Sequence, residues 1–150
     1  MSKQFDEQQK QVLDSTSQHQ LVSASAGSGK TTVMIQKIAN LLLNNTIKAD
    51  EILVVTFTNL ASIEMKERLI LNIRQVLLQT SNDDEKTKVQ LLLDSIETAS
   101  IDTIDGFCSK MLRKYFYQAN LDPEIKIISS FSQEYYINKA LDMAINQFGK

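Results

Sequence analysis

The stretch that most constrains the fold of this chain is a segment of nine residues rich in glycine and serine, Ala24-Ser25-Ala26-Gly27-Ser28-Gly29-Lys30-Thr31-Thr32. It has the pattern G-x-x-x-x-G-K-[ST] of a phosphate-binding loop, with Ala24 at the position of the first glycine. Such a loop follows a strand and opens a helix. Residues 21–24 predict a short buried strand, and apolar residues recur at helical spacing over 33–42. The flanks therefore predict a strand–loop–helix unit.

The residue types of this loop suit the binding of ATP with Mg²⁺. Gly27 and Gly29 accept backbone angles that are closed to other residues, so successive amides can turn toward an anion. A helix that begins near Lys30 adds its positive end and its unpaired amides. We expect Lys30, the candidate catalytic residue, to reach the β- and γ-phosphates. The Thr31 hydroxyl is the candidate Mg²⁺ ligand, and Thr32 adds a second hydroxyl. The alternative is a simple turn that caps a helix, which has no need of Gly-Lys-Thr in that order.

Composition narrows the class of protein. A chain of 150 residues with 43% hydrophobic residues is long enough for one domain or a large part of one. Its formal net charge of −2 argues against a generally basic surface for nucleic acid, though not against a local basic patch. The lone Cys108 excludes an internal disulfide and fits a reducing compartment. The polar start and the lack of a long apolar run predict a cytoplasmic protein with no membrane association.

The order of the predicted elements indicates an α/β fold. The apolar run at 52–57 is typical of a strand buried on both faces of a parallel sheet, and a strand–helix–strand order implies a right-handed crossover. We therefore predict a P-loop NTPase fold with a mostly parallel sheet flanked by helices. The other predicted elements are helices at 4–15, 60–78, 86–95, 105–119 and 131–148, and strands at 99–104 and 125–128.

Four stretches in a fixed order resemble motifs of one enzyme family. They are residues 5–13, the loop at 24–32, residues 56–68 and residues 100–108. Together they resemble the N-terminal portion of superfamily 1 DNA helicases of the UvrD/RecB type, and in particular the AddA (RexA) subunits of bacterial ATP-dependent helicase-nucleases. The resemblance covers nearly the whole chain. It implies that residues 1–150 are the N-terminal part of a first RecA-like helicase domain, and that about 131–150 begin an inserted helical subdomain.

The resemblance also assigns roles to single residues. Gln9 matches the glutamine that hydrogen-bonds the adenine edge, a task that suits an amide with both donor and acceptor. Its alternative interpretation is a solvated helix residue. Thr58 and Asn59 match a segment that contacts single-stranded DNA, where many relatives have Lys at the position of Leu60. Thr58 and Asn59 also fit a strand-ending turn with a helix cap, and both interpretations can hold together.

A second DNA segment is implied near the end of the 99–104 strand. Thr103 and Phe107 match a Thr-x-His-x-Phe-like motif, in which Asp105 replaces the histidine. An ionised aspartate cannot donate to phosphate, so we expect Asp105 to cap the next helix or to hold a neighbouring hydroxyl or arginine. Phe107 either stacks on a base, worth about 1–3 kcal/mol, or packs in the core. Cys108 is expected in the core.

Several parts of a working helicase are not recognisable in these residues. We find no acidic pair after a later strand to hold magnesium, no second RecA-like domain with its arginines, and no acidic cluster suited to a nuclease. We therefore expect this segment to bind ATP without efficient hydrolysis. The resemblance implies that the whole protein unwinds and degrades double-stranded DNA ends in recombinational repair, with single strands and duplex ends as ligands and a partner of the AddB (RexB) type. The alternatives are a small P-loop kinase and a non-catalytic nucleotide-binding module.

Overall fold

Six α-helices and two strands make up most of the regular structure in the described part of the chain. The computed structural model describes residues 4–122 and 128–148, and the chain divides into two compact units, 1–108 and 109–150. In chain order the elements are α1 (Glu7–Asp14), α2 (Lys30–Leu43), β1 (Leu53–Thr56), α3 (Asn59–Gln79), α4 (Asp83–Ser95), β2 (Ser100–Thr103), α5 (Ile104–Lys114) and α6 (Ser130–Phe148).

The two described strands form a small parallel sheet. β1 pairs with β2 in a register that places Val54 opposite Ile101 and Thr56 opposite Thr103. Helices α3 and α4 form the connection between the strands, as a parallel pair requires. The α/β class and the parallel pairing are therefore confirmed.

The strand predicted at 21–24 is wrong. These residues have no regular secondary structure, and Leu21 is 98% exposed. A strand is stable only when its backbone groups pair with neighbouring strands. In the described part of the chain the sheet consists of β1 and β2 alone, so the apolar residues before the loop have no partner strand.

The prediction that the 52–57 run is buried on both faces is also wrong. Val54 is buried, whereas Leu53 and Val55 are 52% and 47% exposed. Successive strand residues point to opposite faces, so only one face of β1 is covered in the described structure. Helix α3 packs against β1 and β2. Phe57, just after the strand, is 94% exposed.

The core of the first unit lies between α2, α3, α4 and the covered face of β1. On α3 the buried positions are three or four residues apart, which places them on one side of the helix. Leu69 and Ile73 are the most deeply buried of them. The core cluster comprises Ile35, Ala39, Leu42, Ala49, Ile52, Val54, Met65, Leu69, Ile73, Val89 and Ile96.

Side chains at the helix starts account for the element boundaries. Thr58 accepts a hydrogen bond at Oγ1 from the Ala61 amide (3.2 Å), so the predicted cap of α3 is confirmed. Asn82 caps α4 in the same way through the Asp84 amide (2.9 Å). Helix α4 begins three residues earlier than predicted because its first turn, 83–85, is entirely acidic and suits the positive helix end.

The last two helices lie partly or wholly in the second unit. The helix predicted at 105–119 ends earlier, at Lys114, and turns follow it to Asn120, whose φ is 51°. The helix predicted at 131–148 is confirmed as α6. Of the strand predicted at 125–128, residues 125–127 lie outside the described residues. None of the described helices has both the length and the apolarity needed to span a bilayer.

Candidate functional site

The backbone of the glycine-rich loop makes a tight turn at the start of α2. Gly27 and Gly29 have φ angles of 78° and 83°, in the left-handed region that favours glycine. Gly29 is the N-cap of α2 and supplies no side-chain hydrogen bond to it. The first backbone bond of the helix joins the Val33 amide to the Gly29 carbonyl (3.0 Å). The amides of residues 30–32 therefore precede the helical ladder and are available to an anion.

Lys30 lies across the loop. Its Nζ donates to the carbonyl oxygens of Ala24 and Ser25, the second at 2.7 Å, and the residue is exposed. The ammonium group has three donors and rotates on a flexible stem. A phosphate oxygen is a stronger acceptor for it than a neutral carbonyl. This position lets the charge move onto a phosphate without a change in the backbone.

Ser28 carries an unsatisfied hydroxyl inside the loop. Its Oγ is buried and has no hydrogen-bond partner in the described part of the chain. A buried polar atom without a partner costs about 1–3 kcal/mol, so this hydroxyl favours a ligand with a polar oxygen beside it. The left-handed glycines, the uncapped start of α2 and the Ser28 hydroxyl together fit a bound triphosphate.

Gln9 contacts this loop from α1. Its Oε1 accepts from the Asp6 amide (3.1 Å) in a capping box, and its Nε2 donates to the Ser28 carbonyl (3.1 Å). A Cβ atom at Gly29 would lie 3.1 Å from Gln9 Nε2, so the glycine also permits this close approach. Gln9 is half-buried, between full solvation and the interior. Its role with adenine stays a prediction.

An open cavity of about 780 Å³ is lined by part of the predicted nucleotide set, whereas the predicted residues Ser25, Ala26, Gly27, Gly29 and Thr32 are not in its lining. Helix α1, the segment before the loop and the first turns of α2 form its walls. Its lining includes Gln9, Val12, Gln20, Leu21, Val22, Ser23, Ala24, Ser28, Lys30, Thr31, Met34 and Lys37. Thr31 is exposed in the first turn of α2, where its hydroxyl is accessible to a cation held by phosphates. In the described part of the chain no group of three or more His, Cys, Asp or Glu residues is placed to hold a metal.

Sequence reasoning missed Lys37, which is half-buried on α2. Its Nζ donates to the carbonyl oxygens of Val12 (2.7 Å) and Ser15 (2.8 Å) and to Gln20 Oε1 (2.8 Å). It therefore connects α2 with the end of α1 and with the segment that leads into the loop. A lysine at helical spacing carries no signal of such contacts, because their acceptors are mostly backbone atoms more than twenty residues away in sequence.

The four residues predicted to contact DNA lie near one edge of the sheet. Thr58 and Asn59 follow β1, and Thr103 and Phe107 lie at and after the end of β2. Because the strands are parallel and in register at Thr56 and Thr103, both segments leave the sheet at the same edge. Ligands of open α/β sheets bind at this carboxyl edge.

Two predictions for the second segment are wrong, the helix cap by Asp105 and the core position of Cys108, while the alternative that Asp105 holds a neighbouring hydroxyl or arginine stays a prediction. The hydroxyl of Thr103, not the Asp105 side chain, accepts from the Gly106 amide (3.0 Å) at the start of α5, while Asp105 is exposed within the first turn. A threonine directly before a helix is well placed for this bond, which left Asp105 no capping role. Cys108 is exposed rather than in the core. Phe107 is half-buried, between its two predicted environments.

Asp102 is a structural residue of this segment that sequence reasoning did not single out. Its Oδ1 accepts from the Thr103 amide (2.8 Å), and a Cβ atom at Gly106 would collide with its carboxylate. The glycine in Thr-Ile-Asp-Gly-Phe, Gly106, was the sequence feature that could have indicated a close contact at this point. A larger residue at this position would displace the Asp102 carboxylate.

Comparison with known proteins identifies the family of the chain. A family model described as the UvrD/REP helicase N-terminal domain matches residues 5–149. The chain is 38% identical to the A subunit of the ATP-dependent helicase/nuclease of Lactobacillus acidophilus over 130 residues. These aligned residues make up 87% of this chain and 10% of that protein. The protein of the same name from Natranaerobius thermophilus is 35% identical over 140 residues, or 92% of this chain and 11% of its own length.

A third relative gives the same proportions. The protein of that name from Ligilactobacillus salivarius is 36% identical over 125 residues, 83% of this chain and 10% of that protein. The chain therefore spans about a tenth of the length of these curated relatives. Because the family model covers nearly all of its residues, the chain belongs to the UvrD/REP helicase N-terminal domain family.

Proposed function

We propose that this chain is the ATP-binding N-terminal motor segment of a DNA helicase-nuclease. The observation that carries the proposal is the phosphate loop, in which two left-handed glycines and the uncapped start of α2 lie beside Lys30. Membership of the helicase family and the names of the relatives support ATP as the nucleotide. Residues 1–150 would form the N-terminal part of a first RecA-like domain, with about 131–150 as the start of an inserted helical subdomain.

Each part of the nucleotide has a candidate partner in this unit. The amides of residues 30–32 and the Lys30 ammonium would bind the β- and γ-phosphates, and the Thr31 hydroxyl would bind Mg²⁺. Bound Mg²⁺ would neutralise phosphate charge. The bonds of Gln9 to Asp6 and Ser28 use one lone pair of its Oε1 and one hydrogen of its Nε2. The second lone pair and the second hydrogen would bind adenine. We also propose that this segment binds ATP without efficient hydrolysis, because its sequence has no recognisable acidic pair after a later strand.

The activity proposed for the whole protein follows the relatives. We propose that it unwinds and degrades DNA ends in the cytoplasm during recombinational repair, together with a second protein of the AddB (RexB) type. A P-loop kinase is less well supported, because the DNA segments at 56–59 and 103–107 would then have no role. A non-catalytic nucleotide-binding module differs from the motor segment in that DNA would not change its nucleotide affinity.

Calorimetric titration with Mg·ATP, with and without a single-stranded oligonucleotide, tests the proposal. We expect one saturable site whose affinity changes when the oligonucleotide is present, because the loop and the DNA edge belong to one unit. A site whose affinity does not respond to DNA supports the non-catalytic module instead. No heat of binding at millimolar ATP would contradict the proposed function, and phosphate transfer to a small acceptor would favour the kinase.

We expect substitution of Thr58 to lower stability and substitution of Asn59 to weaken DNA binding. The Thr58 hydroxyl caps α3, so Thr58→Ala should lower the free energy of unfolding by about 1 kcal/mol. Asn59 is exposed at the first position of α3, so Asn59→Ala should leave stability within about 0.5 kcal/mol of wild type. If this edge contacts phosphates, Asn59→Ala should weaken binding of a fluorescent oligonucleotide. Urea unfolding and fluorescence anisotropy measure the two effects, and unchanged anisotropy for Asn59→Ala would remove this residue from the interface.

A further inference from the structure

Helix α1 carries Gln9 but has little apolar attachment of its own. None of its residues is buried, and Gln9, Val12 and Leu13 are only half-buried. A short helix of eight residues is marginal in water without tertiary contacts. Polar bonds at its two ends therefore matter for its position. Gln9 supplies the bond at the first turn, to the Ser28 carbonyl.

Lys37 supplies the bonds at the other end. The carbonyls of Val12 and Ser15 belong to the last turn and C-cap of α1, where helix carbonyls lack intrahelical partners. The last turn of α1 contains no basic residue, so the ammonium group of Lys37 provides the positive charge that a helix C-terminus favours. Its third bond, to Gln20, holds the segment that enters the loop.

Lys37 connects the end of α1 and the segment at Gln20 with the helix that follows the loop. It lies seven residues after Lys30 on the same helix, two turns or about 10 Å along the axis. Helix α2 begins at the loop. Lys37 therefore fixes the position of α1 relative to the phosphates that the loop would bind. All three bonds of Lys37 go to α1, its C-cap or the segment that enters the loop, and none goes to residues 25–29 of the loop turn.

We propose that Lys37 is a positioning residue that sets the nucleoside side of the site, acting through α1 and Gln9 rather than by contact with phosphate. The inference rests on the proposed function. It separates the site into two parts: the loop binds the triphosphate group, and the wall that Lys37 holds adds selectivity for the base. Loss of Lys37 should therefore weaken ATP binding while it spares a triphosphate that has no nucleoside.

The test compares Mg·ATP and Mg·tripolyphosphate binding to wild type and Lys37→Met by calorimetry. Methionine keeps most of the length of the side chain and removes the three bonds. We expect ATP affinity to fall about tenfold and tripolyphosphate affinity to stay within about twofold. Gln9→Ala should show the same pattern, and the double variant should lose no more than about the larger single loss. Lys66→Met, which removes an exposed pair with Glu97, is the control and should change neither affinity.

The outcomes distinguish the two proposals. Equal losses for both ligands, or no loss for either, would overturn the positioning role while leaving the nucleotide site intact. Failure of the wild-type chain to bind either ligand would overturn the proposed function and, with it, this inference. Should Lys37→Met not fold in a urea titration, Gln20→Ala decides, because Gln20 Oε1 is the one acceptor of Lys37 that a substitution removes. We expect a smaller loss for ATP alone, about threefold, and no selective loss would overturn the proposal.

Discussion

Replacement of Lys30 by alanine should lower the affinity for Mg·ATP by about 100-fold or more. The ammonium group is the one cationic side chain of the loop segment 24–32, and hydrogen bonds between a cation and a phosphate are among the strongest in proteins. Two such bonds, at about 1.5–3 kcal/mol each, correspond to this loss. Calorimetry on the purified chain measures the change.

The fold should survive this substitution. Lys30 is exposed and its bonds are to two loop carbonyls that water can reach, so the free energy of unfolding should change by less than about 1 kcal/mol. Lys10→Ala, on the exposed surface of α1, is the matched control for loss of one positive charge and should bind Mg·ATP as wild type does. Wild-type affinity in Lys30→Ala would show that the loop is not the nucleotide site.

Truncation of Leu69 should destabilise the first unit more than any surface change. Leu69 is 1% exposed on the buried side of α3 and packs in the cluster shared by α2, α4 and β1. Leu69→Ala should lower the free energy of unfolding by about 3–4 kcal/mol, from lost apolar burial and from the cavity left behind. That is a large share of the roughly 5–15 kcal/mol that stabilises a typical domain.

Leu71 offers a control on the same helix with the same chemistry. It is 56% exposed, so Leu71→Ala should cost less than about 1 kcal/mol in urea unfolding followed by circular dichroism. The difference between the two losses in unfolding free energy tests which side of α3 faces the core. Equal losses would mean that α3 is packed differently from the arrangement described above.

The turn of the glycine-rich loop and the longer helices were predictable because their causes are local. The left-handed angles of Gly27 and Gly29 follow from residue type and spacing, as does the helix that begins at Lys30. The 3.6-residue period of apolar positions predicted α3 and α6 to within a residue or two. The Thr58 cap was also local, since a hydroxyl reaches an amide three residues away.

Prediction failed where an element depends on what lies beside it. Residues 21–24 have the composition of a strand, but pairing with a neighbour decides strand formation, and only β1 and β2 pair in the described structure. The same holds for Val55, whose apolar side chain lies on the face of β1 that the described helices leave exposed. Cys108 was placed in the core for its apolar character alone.

The sequence by itself determined the turn of the glycine-rich loop, the helix periods, the parallel order of β1 and β2 and the helicase family, because each is encoded in residues close together or in a fixed order of motifs. Only the tertiary structure decided which face of β1 is covered, that Gln9 bonds to Ser28, and that Lys37 joins α2 to the end of α1. These contacts join atoms that are distant in sequence and mostly involve backbone carbonyls, which every residue has, so residue identity alone carries no signal of them.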